Sequence, residues 1–429
     1  MAKNYLIGID IGSYYTKSIL FEVSPDGSYI PIASDKKITD GIVNGEIQDI
    51  SALNKTIKSV IANFSDKLGK RKESEIVVGY STNNLNISQE VQAVEFTSRT
   101  EIKEEDLHKI KKNIVNKYNE EGKMVLDISF MKFIVDGKVV KNPVSFYVTN
   151  SLNVTLNIVW VNENAFALLK NVFKDIVDDS QFPIYDTTLG LCYTATSSND
   201  RNVGVAVLDL GYYQSRIITF KNGMPKLFYS FPYGIKYVLK DISNVLKVPE
   251  NEANRLLCEQ ALCMKDTKTV KKVDIRLISG GAVSYTSQNL LNKIVYARTR
   301  EILNRLNGEI AKFSYEKAQE VGALSGGIVY TGGGAKIKNI DAVLRELVGD
   351  NFRSGKLSSN MFVNLAEKYM DDPDLLGVFG IVDRYRFDKA EIGNREQTPV
   401  KSGKPQKQAK GGFFNKLIDK IAGGDDDAI

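Results

Sequence analysis

Histidine is almost missing from this chain: 429 residues contain one, His108. Histidine-rich metal sites are therefore excluded, and a Ser-His-Asp or Cys-His mechanism would rest on that single residue. His108 lies in 102–118, where Leu107, Ile110, Ile114 and Tyr118 mark one helical face among lysines and glutamates. It follows Leu107 onto the flank of that stripe, and we read it as a solvated histidine. The three cysteines, Cys192, Cys258 and Cys263, are odd in number and show no C-x-x-C spacing. That pattern fits a reducing compartment and argues against structural zinc. No run of about eighteen apolar residues is present, so nothing is expected to span a bilayer as a helix. Met1 leads straight into a strand-like segment without a signal-peptide core.

What is present is a globular composition, 43% hydrophobic and 25% charged. The net charge of +5 is too mild for a dedicated nucleic-acid binder, and no nucleic-acid partner is expected. The length exceeds one ordinary core, so two or more domains are expected.

The chain contains a concealed repeat. Ile7-Gly8-Ile9-Asp10-Ile11-Gly12-Ser13-Tyr14-Tyr15-Thr16-Lys17 is echoed 199 positions later by Ala206-Val207-Leu208-Asp209-Leu210-Gly211-Tyr212-Tyr213-Gln214-Ser215-Arg216. Asp10 meets Asp209, Gly12 meets Gly211, Tyr14 meets Tyr213 and Lys17 meets Arg216. One period this long indicates two homologous domains facing each other rather than a solenoid. In each copy an apolar strand ends in an acid, glycine and small polar residues turn the chain, and a second strand begins. Such a hairpin presents backbone N–H groups to a phosphate. The adjacent carboxylate suits a hydrated Mg²⁺, which keeps its waters and takes one or two carboxylates. One D-x-G alone reads as an ordinary hairpin; the matched pair reads as a phosphate clamp.

A third element is Thr331-Gly332-Gly333-Gly334-Ala335, at the end of a short apolar strand and before an expected helix over Ile340–Val348. Glycines there would let the backbone approach a base or sugar closely. Ser279-Gly280-Gly281 lacks a strong preceding strand and an acid partner, and reads as a hairpin turn.

These three segments, in this order, resemble the nucleotide-binding motifs of the actin, hexokinase and heat-shock chaperone superfamily, and within it the FtsA family over nearly the whole chain. The resemblance implies an α/β, actin-like (ribonuclease H-like) duplicated two-lobe ATPase fold with an FtsA-type 1C insert. It implies phosphate and adenosine contacts from Gly12, Ser13, Tyr14, Lys17, Gly211, Tyr212, Tyr213, Gly332, Gly333 and Gly334, with Asp10 and Asp209 holding Mg²⁺ through water. Subdomain 1A would comprise 1–81 and 162–198, 1C 82–161, 2A 199–233 and 322–387, and 2B 234–321. The insert shows Val135-Asp136-Gly137-Lys138, a hairpin signal, then Asn142-Pro143. Val154, Leu156, Ile158 and Trp160 then alternate with polar neighbours as one face of a strand. The family's Gly-Met after Asn-Pro is replaced here by Val144-Ser145-Phe146.

Residues 251–264 are expected to form a 2B helix near the nucleotide. The family's Ala-Glu-x-Leu-Lys is replaced by Ala253-Asn254-Arg255-Leu256-Leu257, so its ribose and base contacts do not carry over. Asp186-Thr187-Thr188 stands where relatives place a water-orienting residue, without Glu or Gln, so no catalytic residue is assigned and at most weak ATPase activity is expected.

After about Gly393 the apolar pattern collapses; 388–412 reads as a flexible linker. Residues 413–423 then read as an amphipathic helix. Phe413, Phe414, Leu417, Ile418 and Ile421 form one stripe beside Lys416 and Lys420, which reads as an interfacial membrane anchor. Five such side chains at about 1.5 kcal/mol each give about 7 kcal/mol gross, offset by roughly 1 kcal/mol for each of nine ordered residues. One helix should bind weakly and several joined by polymerisation strongly. The terminal Asp425-Asp426-Asp427 finds no rationale.

The resemblance therefore implies an ATP- and Mg²⁺-binding scaffold that polymerises and tethers FtsZ filaments, the Z ring, to the cytoplasmic face of the membrane at the division site. Its partners would be the FtsZ C-terminal peptide, other copies of itself, membrane lipid and other division proteins. Arg298, Arg300 and Glu301 resemble the 2B surface that receives the FtsZ peptide. Two alternatives remain: a PilM-like pilus-assembly ATPase, which would lack the anchor, and a small-molecule kinase, which needs a third cleft carboxylate.

Overall fold

The computed structural model describes residues 4–68, 74–177, 182–265, 271–279, 284–316, 324–358, 362–366, 369 and 372–396, without the side chains of 312–316 and 390–396. The expected amphipathic helix, 413–423, and most of the expected linker lie outside the described residues. Among those described, no helix is long and apolar enough to cross a membrane.

Two five-stranded sheets share one topology. In the first, Asn4–Ile11 pairs antiparallel with Tyr15–Val23, which pairs antiparallel with Tyr29–Ile38. On its other side Asn4–Ile11 runs parallel to Ser74–Tyr80, followed by Ile184–Tyr185. The second repeats this with Val205–Leu210, Ser215–Lys221 and Met224–Phe231 antiparallel, then Ile328–Thr331 and Phe352–Ser354 parallel. The motif repeat thus reflects a duplicated domain. The central strand of each sheet is buried on both faces, which explains its continuous apolar run.

Between the sheets the chain crosses twice. Thr187–Ala195 leads from the first sheet toward the second, and Leu376–Glu396 returns to pack on the first. The helices meet at Gly190 and Gly380, where a Cβ built on Gly380 would lie 2.3 Å from the Gly190 carbonyl carbon. Gly8 and Gly79 leave room for Val378, Val382 and Ile381 of the returning helix. That helix runs through 388–396, which corrects the expected linker start. Asp388 accepts a hydrogen bond from the Tyr185 hydroxyl at 2.6 Å, and Lys389 pairs with Glu75.

An insert carries its own sheet, in the order Lys138–Val140, Lys123–Val135, Ser151–Asn162 and Asn86–Glu95. Helix Glu104–Glu120 covers it with Leu107, Ile110, Ile114 and Tyr118. Asp136 and Gly137 form the tight turn with φ of 46° and 81°, as Asp-Gly favours. Two details differ from the sequence reading. Register shifts at Thr155/Leu156 and Val159/Trp160 put Val159 and Val161 into the core and leave Trp160 half-buried, its indole N–H donating to Ser88. His108 is half-buried rather than fully solvated. The insert joins the crossing helices through Asp127, which accepts from the Tyr193 hydroxyl at 2.6 Å and faces Arg384 at 3.6 Å. Asn157 also donates to the Pro225 carbonyl of the second sheet.

Helix Ile340–Val348 forms where expected. The expected helix over 251–264 stops earlier: Glu250–Arg255 passes into one π turn, Leu256–Gln260, and Ala261 is extended.

The crossing yields a paired prediction. Gly380→Ala should destabilise the chain by about 1–3 kcal/mol, whereas Gly308→Ala, in helix Gln288–Glu316 with nothing within 4 Å of its added Cβ, should stabilise it by about 0.5–1 kcal/mol. Denaturant midpoints of the two variants check the opposite signs.

Candidate functional site

Asp10 and Asp209 each end a buried strand, and each faces a cation on the partner strand of its own hairpin. Lys17 lies opposite Asp10 in register and reaches its Oδ2 at 2.9 Å; Arg216 lies opposite Asp209 and reaches its Oδ2 at 3.2 Å. The turns match as well. Gly12 N–H donates to the Tyr15 carbonyl, and Gly211 N–H to that of Gln214. A Cβ on either glycine would strike that carbonyl oxygen, at 2.7 and 2.6 Å, so tight turn closure demands glycine at both.

The two hairpins and Gly332–Gly334 border one cavity of about 390 Å³. All ten expected contact residues line it: Gly12, Ser13, Tyr14, Lys17, Gly211, Tyr212, Tyr213, Gly332, Gly333 and Gly334, together with Asp10 and Asp209. The glycine triplet owes its composition mainly to the protein. Gly332, at φ 83°, would put a Cβ 2.5 Å from Asp209 Oδ1, and Gly334 would meet Ile235 and Leu210. Only Gly333 faces open space, its nearest neighbour being Asp374 Oδ1 at 3.7 Å.

Burial raises the Asp209 carboxyl, with Arg216 and Lys17 pulling it back. Burial would lower Lys17, but Asp10 and Asp374 outweigh it and hold the ammonium above the usual lysine range. Thr187, at the start of the first crossing helix, donates to Asp10 Oδ1 at 3.1 Å. Both Asp10 oxygens thus have one partner each, which leaves further lone pairs for the water shell of a bound ion. Among the described residues no cluster of three or more His, Cys, Asp or Glu stands ready to bind a bare metal. The buried Arg216 Nε lacks a hydrogen-bond partner.

Several features of the lining were not assigned from the sequence. Tyr14 stacks on Tyr212 across the cleft, ring centroids 4.3 Å apart, although the repeat aligns Tyr14 with Tyr213. Lys36 and Lys336 line the cavity from distant segments, and with Lys17 they surround Asp374. Burial would raise the Asp374 carboxyl; the three lysines instead hold it well below the ordinary carboxylate range. Asn254, Leu257 and Cys258 come from the short helix and its π turn. Asp186 is not poised as a base: it caps helix Thr187–Ala195 through Leu189 N–H and accepts from both Thr82 N–H and hydroxyl.

Arg298, Arg300 and Glu301 lie away from this cavity, on helix Gln288–Glu316. Arg298 is bound to Asp241 at 2.6 Å and Glu301 at 2.6 Å, and Arg300 to Glu346 at 3.0 Å. Both arginines are thus paired with carboxylates of the chain itself.

Residues 206–380 match the family model described as cell division protein FtsA. The FtsA of Borreliella burgdorferi is 25% identical, the match covering 97% of this chain and all of that protein. That of Bacillus subtilis is also 25% identical, over 81% of this chain and 77% of that one. Among solved structures, the PilM-PilN type IV pilus biogenesis complex superposes with a TM-score of 0.57 at 14% identity, covering 88% of this chain and 98% of that one. MreB5 of Spiroplasma citri bound to ADP gives 0.52 at 13% identity, covering 92% and 99%. The fold is therefore actin-like.

The depressed Asp374 carboxyl gives a pH prediction. Its contribution to stability is present above the unfolded carboxyl value of about 4 and is lost as pH falls toward the lower folded value. The stability gap between the unaltered chain and Asp374→Asn should hold steady from about pH 5 to 8 and narrow below about pH 4, as read by urea unfolding.

Proposed function

From membership of the FtsA family of actin-like ATPases, to which the chain belongs, we propose that it binds ATP with Mg²⁺ in this cavity and acts as a membrane-tethered cell-division scaffold. The observation that carries the nucleotide reading is the pair of matched acid–glycine hairpins facing one cavity bordered by the glycine triplet. The hairpin N–H groups, Lys17 and Arg216 suit the phosphates, and Asp10 and Asp209 suit the water shell of Mg²⁺. Further support comes from a solved actin-like structure, MreB5, described as bound to ADP.

Hydrolysis is weak in this reading. The carboxylates lining the cavity are Asp10, Asp209 and Asp374, each held in an ion pair, and Asp186 is taken up by helix capping. The same shortage argues against a small-molecule kinase, which needs a carboxylate free to accept a proton.

The scaffold role rests on the family and on the sequence of the tail. Residues 413–421 supply the amphipathic anchor, and assembly into filaments makes many weak anchors hold together. The chain would thereby tether FtsZ filaments at the cytoplasmic face of the division site. The FtsZ peptide would meet the surface around Arg300 and, by exchange of its internal pairs, Arg298 and Glu301.

Asp10→Ala and Asp209→Ala should each weaken Mg-ATP binding by at least about tenfold in calorimetry; unchanged affinity in both would sink the clamp. Of the three cysteines only Cys258 is exposed, and it lines the cavity. Thiol labelling should therefore modify Cys258 and slow when Mg-ATP is added.

Vesicle co-sedimentation with Mg-ATP, comparing the full chain with one ending at Lys410, tests the anchor. The full chain alone should pellet with anionic lipid. If both remain in the supernatant at polymerising concentrations, the PilM-like reading takes its place.

A further inference from the structure

Three lysines converge on one carboxylate inside the cavity. Lys17 Nζ lies 3.2 Å from Asp374 Oδ1 and also donates to the Asp374 carbonyl at 2.9 Å; Lys36 Nζ lies 2.6 Å from Oδ2. Lys336 Nζ lies 3.7 Å from Oδ2 while pairing with Asp372 at 2.7 Å. The Asp374 side chain is 9% exposed, so these contacts are little screened by water.

Ammonium groups this close repel one another unless an anion sits among them. Here that anion is a side chain of the chain itself. Its position is telling: Lys17 joins it to Asp10 of the first hairpin, and its Oδ1 is the nearest neighbour of Gly333, which otherwise faces open cavity. The carboxylate therefore neighbours both the first hairpin, through Lys17, and the glycine triplet. The Asp374 backbone is held by neighbours, with the Thr331 hydroxyl donating to the Pro373 carbonyl and Asp374 N–H donating to Asp372. With the backbone so held, withdrawal of the carboxylate would be a change of side-chain rotamer.

We propose that Asp374 is a built-in stand-in for a nucleotide phosphate, occupying the seat that Lys17, Lys36 and Lys336 offer to the polyphosphate of a nucleoside triphosphate. This rests on the nucleotide reading above and extends it: Lys36 and Lys336 become phosphate ligands, and entry of a triphosphate exchanges one anion for another. A nucleoside without phosphate gains nothing from the lysines and leaves Asp374 in place. The site thus selects for phosphate charge as well as for shape.

Calorimetric titration of the full chain and of Asp374→Asn with Mg-ATP, adenosine and inorganic tripolyphosphate tests this, with thermal unfolding as a check on folding. Asp374→Asn should bind ATP and tripolyphosphate about tenfold more tightly and adenosine no more tightly. Lys36→Ala, which alters a half-exposed side chain, should bind ATP about fivefold more weakly with adenosine unchanged. Weaker or unchanged ATP affinity in a folded Asp374→Asn chain would overturn the proposal, because the aspartate would then merely hold the lysines in place. An equal gain for adenosine would also overturn it, pointing to simple obstruction. Absence of ATP binding in the unaltered chain would remove the nucleotide reading itself; binding there without the gain removes this proposal alone.

Discussion

The two helices that run between the sheets touch with no side chains between them. At Gly190 and Gly380 backbone meets backbone, closer than any Cβ permits. Each crossing helix begins at the cavity: Thr187 contacts Asp10, and Gly377 would meet the same carboxylate if it carried a Cβ. The first-sheet wall of the cavity and the contact between the two helices are therefore parts of the same pair of elements. Glycine is required there for space rather than for an unusual dihedral, since neither residue has a positive φ.

Around that pivot the duplicated hairpins keep their internal ion pairs but differ in what else their cations reach. Lys17, on the first sheet, extends to Asp374 beside the returning helix. Arg216, on the second sheet, extends to Asn83, which follows a strand of the first, and to Gln214. Each lobe's cation is thus wired to a segment outside its own sheet. The stacked Tyr14 and Tyr212 add a contact between the hairpins worth about 0.5–1.5 kcal/mol. The ion pairs and the tyrosine stack thus form one connected set of contacts around the cavity.

Local features were legible in the sequence because local physics decides them. The acid–glycine hairpins, the Asp136-Gly137 turn and helix Ile340–Val348 follow from periodicity and turn chemistry within a few residues. The lysine cluster was not, because Lys17, Lys36 and Lys336 reach Asp374 from separate parts of the chain and no spacing joins them. The stack of Tyr14 on Tyr212 was hidden for a related reason: aligning the repeat pairs equivalent residues, whereas a contact between facing lobes need not be between equivalents. The expected linker start at 388 falls inside helix Leu376–Glu396 because polar residues and Gly393 resemble a break, while Asp388 and Lys389 are docked on the first lobe. The strand face at Trp160 was misjudged because a register shift breaks the strict alternation.

The chain's one tryptophan stands in the insert, against Tyr118 and beneath the Lys123 ammonium, while Tyr14, Tyr15, Tyr212 and Tyr213 gather at the cleft. The protein is thereby divided into two optical compartments without any label. Indole emission reports on the insert, and phenol absorbance includes a cleft signal sensitive to separation of the stacked rings. Changes within the insert and changes at the cleft would leave different spectral traces in the same unmodified chain.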